Sequence, residues 1–142
     1  MTKDVLVTIS GMQFDVEDAP IELKTVGTYY LKNGKHYVLF DEEPESGGPI
    51  TKNIIKFKEG SFEMTKKGGN NSYLFFDLGR KTSTIYCTPI GDIQVDVETH
   101  DLTISESEEE ILVKVKYTLD LNYNFISECE VRFKVQARME QI

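Results

Sequence analysis

Apolar side chains recur along this chain with a period of two. Ile93, Val95, Val97 and Thr99 alternate with Gln94, Asp96, Glu98 and His100, as in a strand with one buried face and one wet face. Ile111, Val113, Val115, Tyr117, Leu119 and Leu121 extend the alternation, and Cys129, Val131, Phe133, Val135 and Ala137 repeat it against Glu130, Arg132, Lys134, Gln136 and Arg138. Ile21, Leu23, Tyr29 and Leu31 share one parity, opposite Glu22, Lys24 and Lys32. No window of comparable length carries the i, i+3, i+4, i+7 spacing of an amphipathic helix. The chain reads as all-β.

Turn chemistry cuts these runs at short intervals. Asn33-Gly34, between Leu31 and Tyr37, is the strongest hairpin signal, because both central residues of a type I′ turn need a positive φ. Glu59-Gly60, Gly68-Gly69-Asn70-Asn71, Asp77-Leu78-Gly79 and Pro89-Ile90-Gly91 follow as further turns. The runs between them predict about ten strands, over 3–13, 21–32, 35–41, 50–58, 61–66, 72–78, 81–88, 92–103, 111–122 and 125–138. Consecutive hairpins make an antiparallel meander, and closing it into a barrel removes its exposed edges. A single domain over 1–142 is expected, with Val95, Val97, Val113, Val115, Val131 and Phe133 in one core and no linker or internal repeat.

A chain of 142 residues buries about 68–70% of its unfolded surface, so it needs no disulfide or metal staple. Lys and Arg total 16 against 24 Asp and Glu, a net charge of 16 − 24 = −8. That sign argues against nucleic acid, whose affinity rests on cations displacing counterions, and against an anionic membrane surface. No apolar run approaches the ~20 residues of a membrane span, and Thr8 and Ser10 interrupt the first one too early for a signal peptide. Cys87 and Cys129 fit no CxxC or zinc spacing. They are expected to be reduced packing residues of a cytoplasmic protein.

Lys24-Thr-Val-Gly-Thr-Tyr-Tyr-Leu-Lys, with Phe40-Asp-Glu-Glu after the next strand, resembles the YwiB-like family of uncharacterised bacterial proteins. So does Phe76-Asp77-Leu78-Gly79, followed by Tyr86-Cys87-Thr88-Pro89-Ile90-Gly91 and then Thr99. The resemblance covers nearly the whole chain in order and spacing. It implies a domain of unknown function with a calycin-type, lipocalin-like β-barrel, and it brings no established activity. The chain departs from the family pattern in carrying Lys66-Lys67-Gly68 where Arg-x-Gly is expected, and Glu128-Cys129-Glu130 where an Asn is expected.

Motifs for chemistry are sparse. His36 and His100 read as surface residues, and no metal site or cofactor is expected. Ser61 follows an ordinary turn, and Cys87 has no neighbouring cation to activate it, since Arg80 and Lys81 lie at the other end of its strand. No catalytic residue is assigned. Asp41, Glu42, Glu43 and Glu45 read as solvated loop charge without the DxDxDG spacing of a calcium loop. Gly47-Gly48-Pro49-Ile50-Thr51-Lys52 and Lys66-Lys67-Gly68-Gly69 match no phosphate-binding motif.

Two functional readings remain. In the first, a non-enzymatic barrel holds a small, partly apolar, carboxylate-bearing molecule, with polar anchors at Tyr29, Arg80, Tyr86, Thr88 and Thr99. Tyr86 and Thr88 share a parity toward a barrel mouth, Tyr29 and Thr99 close apolar walls, and Arg80 supplies a cation for bidentate pairing. In the second, the core is filled, and the protein acts through its surface as a monomer or homodimer. The near absence of polar residues from the inward series of strands eight to ten points to a filled interior.

Overall fold

The computed structural model describes residues 3–13, 21–43, 47–69 and 71–138. Ten strands follow one another: β1 Asp4–Gln13, β2 Ile21–Lys32, β3 Lys35–Glu42, β4 Thr51–Lys58, β5 Ser61–Gly68, β6 Ser72–Asp77, β7 Lys81–Thr88, β8 Gly91–Glu106, β9 Glu110–Leu121 and β10 Asn124–Ala137. All pair antiparallel in one sheet of order β6-β5-β4-β3-β2-β1-β10-β9-β8-β7. The sheet curls into a nearly closed barrel. At its seam the Thr82 hydroxyl on β7 donates to the Phe75 carbonyl on β6, without a backbone ladder between the two strands.

The turn residues explain the hairpins. Asn33 (φ 52°) and Gly34 (φ 75°) make the expected left-handed pair, and Asn122 (φ 49°) and Tyr123 (φ 69°) make a second one with no glycine. A bulky residue rarely holds such a φ. Here Asn122 is pinned to β8: its N–H donates to the Gln94 carbonyl at 2.9 Å, and its side-chain oxygen accepts from the Gln94 N–H at 3.0 Å. Gly27 has a different reason. A Cβ there would stand 2.7 Å from the Leu39 carbonyl oxygen. The β2–β3 ladder begins only at Thr28 and Leu39, and beyond it a crevice of about 730 Å³ opens between the strands beside Gly27 and Phe40.

The alternation seen in the sequence is the inside and outside of this barrel. Phe57 is its aromatic hub, with ring centroids 4.7 Å from His36, 6.0 Å from Phe62 and 5.8 Å from Phe133. Val95, Val97, Val113, Val115 and Phe133 join the core as expected; Val131 shares their parity but is only half-buried. Two histidine and cysteine assignments change. His36 is buried at 9% exposure rather than on the surface, and Cys87 is exposed rather than packed, while Cys129 is buried; both thiols are free.

Candidate ligand site in the barrel lumen

The two ends of the barrel interior differ. At the end closed by the Asn33-Gly34, Glu59-Gly60 and Leu78–Arg80 turns, the inward residues Val5, Val7, Phe57, Phe62, Ile111 and Val113 are 0% exposed. Toward the opposite end Ile9, Leu23, Leu119, Leu121, Ile93 and Val131 also point inward, yet each keeps accessible surface. Ile9, Leu23, Ile93, Leu119 and Leu121 pack against the core from this side and border the barrel mouth. Gly11 pairs with Val131, and a Cβ built on it meets nothing within 4 Å among the described residues. Among the described residues, one end of the lumen is a packed core, and the other is an aliphatic cup whose side chains stay partly accessible.

Polar groups interrupt the wall of that cup. Glu42 shares the inward parity of Val38 and Phe40, and Lys66 that of Phe62 and Met64. Lys66 Nζ donates to Glu42 Oε1 at 2.9 Å, and Asn53 Nδ2 donates to the same oxygen at 2.8 Å. Asn53 is 2% exposed and Thr51 8%. Burial pushes the Glu42 carboxyl up, but the hydrogen bonds from Lys66 and Asn53 and the Lys66 charge outweigh it and hold the group below its ordinary range. Glu42 therefore ends a strand and faces inward, where sequence placed it in a solvated loop. The Gly68-Gly69 pair serves packing here: a Cβ on Gly68 would lie 2.5 Å from the Ile50 carbonyl oxygen.

Tyr86, Tyr117, Ser127 and Cys129 form a second inward-facing group. Burial raises the Tyr86 phenol, partly offset by a hydrogen bond with Ser72, and Ser72 is the register partner of Lys66. Burial raises the Tyr117 phenol further, reinforced by the neighbouring Cys129 thiol and Tyr86. The Ser127 hydroxyl and Cys129 Sγ are 3.1 Å apart. Along β8, accessibility falls from the half-buried Ile93 to Thr99 at 1%, which pairs with Tyr117. The Thr99 hydroxyl is buried with no hydrogen-bond partner among the described residues.

The five residues singled out from sequence therefore separate. Tyr86 and Thr99 face the interior, at the mouth and deep in the wall. Tyr29 lies at the packed end, 8% exposed, with its hydroxyl 2.7 Å from His36 Nδ1; it caps the core. Arg80 has a side chain 77% exposed and sits 3.6 Å from Asp77. It lies six residues from Tyr86 along β7, roughly 20 Å at the rise of a strand, so it is no neighbour of that mouth. Thr88 ends β7, and its side chain lies outside the described residues. Sequence reasoning missed Glu42, Asn53 and Lys66. The signal was present in β4, where Thr51 and Asn53 continue the parity of Ile55 and Phe57. Ser127 joins Thr99 and Tyr117 as an inward polar group on β8 to β10.

Among the described residues, no three His, Cys, Asp or Glu side chains cluster as metal ligands, and no helix is long and apolar enough to cross a membrane. In comparisons with known proteins, the chain is 26% identical over 110 residues to the uncharacterized β-barrel protein YwiB of Bacillus subtilis (strain 168), covering 78% of this chain and 76% of that protein. The crystal structure of the Bacillus subtilis ywiB protein superposes with a TM-score of 0.79 at 21% identity, covering 96% of this chain and 93% of the other. The barrel is therefore shared. The model of a domain of unknown function, DUF1934, matches residues 7–133, and the chain belongs to that family of β-barrel proteins.

Proposed function

We propose that this protein is a non-enzymatic, cytoplasmic holder of a small, partly apolar molecule, seated in the open half of the lumen in the manner of calycin barrels. One observation carries the reading: inward side chains such as Leu119, Leu121 and Val131 stay partly accessible at one end, while Val5, Ile111 and Val113 toward the other are 0% exposed. Pockets that hold small molecules are mostly apolar walls with a few fixed polar groups, and the aliphatic cup with its Glu42–Lys66–Asn53 and Tyr86–Ser72 groups has that composition. A holding role fits better than catalysis. His36 is committed to Tyr29 at the far end, and the Cys129 thiol neighbours Ser127 and Tyr117, neither of which serves as an activating base.

The test is native mass spectrometry of freshly purified protein beside Val131→Trp, which fills the cup. A non-covalent adduct on wild type that disappears in the variant supports the lumen site. A second reading, association through the surface, draws on Ile90, Tyr123, Ile85 and Phe125, which are 95%, 79%, 61% and 60% exposed near the same end of the barrel. Bare protein at dimer mass, equal in both forms, would favour that reading and remove the first.

A further inference from the structure

The cation that faces the open half of the lumen is already matched. Lys66 Nζ lies 2.9 Å from Glu42 Oε1, and Asn53 holds the same oxygen, so the group carries no net charge. Arg80, the other candidate partner for an anion, faces solvent beside Asp77 at the packed end. A ligand carboxylate entering the cup would compete with Glu42 for Lys66 and set two carboxylates side by side in a half-buried place, where like charges disfavour both ionised forms. An uncharged polar group meets no such conflict. An ammonium has three donors, and among the described residues Lys66 donates to one side-chain acceptor, Glu42. The Asn53 side-chain carbonyl and the Tyr86 and Ser72 hydroxyls add neutral partners. Deeper in the wall, Thr99 offers a buried hydroxyl with no partner among the described residues. Among the described residues, every polar group the lumen still has to satisfy is neutral or already neutralised.

We infer, resting on the lumen reading above, that the Glu42–Lys66–Asn53 group makes the site select an uncharged amphipath, an alcohol or amide on a short apolar body, and reject the corresponding carboxylate. Glu42 is the specificity determinant: it occupies the cation that would otherwise recruit an acid.

The probes are octanol, octanamide and octanoate, titrated calorimetrically at neutral pH into the full chain, its Glu42→Gln variant and its Val131→Trp variant. Octanol and octanamide are expected to bind wild type at least about tenfold more tightly than octanoate. Glu42→Gln keeps the shape of the side chain and removes its charge, leaving Lys66 unmatched, so octanoate should gain about tenfold while octanol changes little. Val131→Trp should abolish binding of the neutral pair. Octanoate binding wild type as tightly as octanol overturns the inference while leaving a lumen site standing; that comparison requires no variant to fold. Unchanged octanoate affinity in a folded Glu42→Gln protein also overturns it. If the neutral probes bind Val131→Trp undiminished, or no probe binds wild type, the lumen reading itself falls, and the inference with it.

Discussion

Val113 and Val131 both point into the barrel, from β9 and β10, and shortening each to alanine asks how differently the two halves of the lumen are filled. Val113 is 0% exposed and pairs with Phe133. Removing two buried carbons forfeits about 1.6 kcal/mol of transfer free energy at ~0.8 per methylene. A residual void of roughly 40 Å³ adds about 1 kcal/mol at ~24 cal/mol per Å³. Val113→Ala should therefore cost about 2.5 kcal/mol. Val131 is half-buried and faces Gly11, beside which space is already open. Its truncation creates little new void and removes surface that is partly wet, so about 0.5–1 kcal/mol is expected. Urea unfolding followed by circular dichroism should give midpoints that differ between the variants with a common m-value. In a chain of 142 residues, Val113→Ala should also melt about 5–10 °C below wild type. Equal losses, within the ~10–15% extrapolation error of the method, would refute the division of the lumen into a filled and an open half.

Tyr29→Phe should cost about 1–3 kcal/mol by leaving His36 Nδ1 buried without its partner, whereas Arg80→Ala should stay within about ±0.5 kcal/mol of wild type; equal effects in thermal melts would reverse these assignments. Iodoacetamide should add one label to the native protein, at the exposed Cys87, and a second at Cys129 only after denaturation; labelling will be slow, because hydrogen bonding with Asp92 and its charge hold the Cys87 thiol up. Dithiothreitol should leave the melting temperature unchanged. In the alkaline range, Tyr73 and Tyr117 keep their protons longer in the folded state, raised from 10.0, Tyr73 to about 12. A raised folded value means their contribution is whole below the unfolded value and is lost as pH rises through the folded one. Stability should fall from about pH 10 upward, and Tyr117→Phe should flatten that slope in urea titrations.

Strands were readable from sequence because each has one wet face and one dry face, so β2, β7 and β9 lie within a residue or so of their expected bounds. Turns were readable where glycine marks a positive φ, as at Gly34, and unreadable at Asn122-Tyr123, where a contact with β8 holds the strained pair. The site was harder for a different reason. A charged residue at inward parity looks the same as one at outward parity until a partner from another strand is in place, and Glu42 and Lys66 find each other only through β4. The acidic run around Glu42 favoured a loop, and its counter-ion lies 24 residues on. Arg80 looked close to Tyr86 because both border one strand, but a strand separates its ends. Irregularity also breaks the count: register shifts between Thr99 and Asp101, and between Phe125 and Ser127, move the inward parity partway along β8 and at the start of β10.

The order of strands in the sheet carries a consequence for folding. β1 to β6 form one meander and β7 to β10 another, and each assembles through neighbouring hairpins. The two are joined by the Leu78–Arg80 turn and by the β1–β10 ladder, whose nine residue pairs begin with Val5 against Ala137. Hairpins close short loops, while that ladder must close nearly the full chain, so it should form last and set the folding rate. The same geometry makes the molecule divisible. The seam has no backbone ladder to lose, so a chain cut at Gly79 keeps both meanders and the long ladder that docks them. Two fragments, each unstable with its inward face uncovered, should reassemble by β1 finding β10.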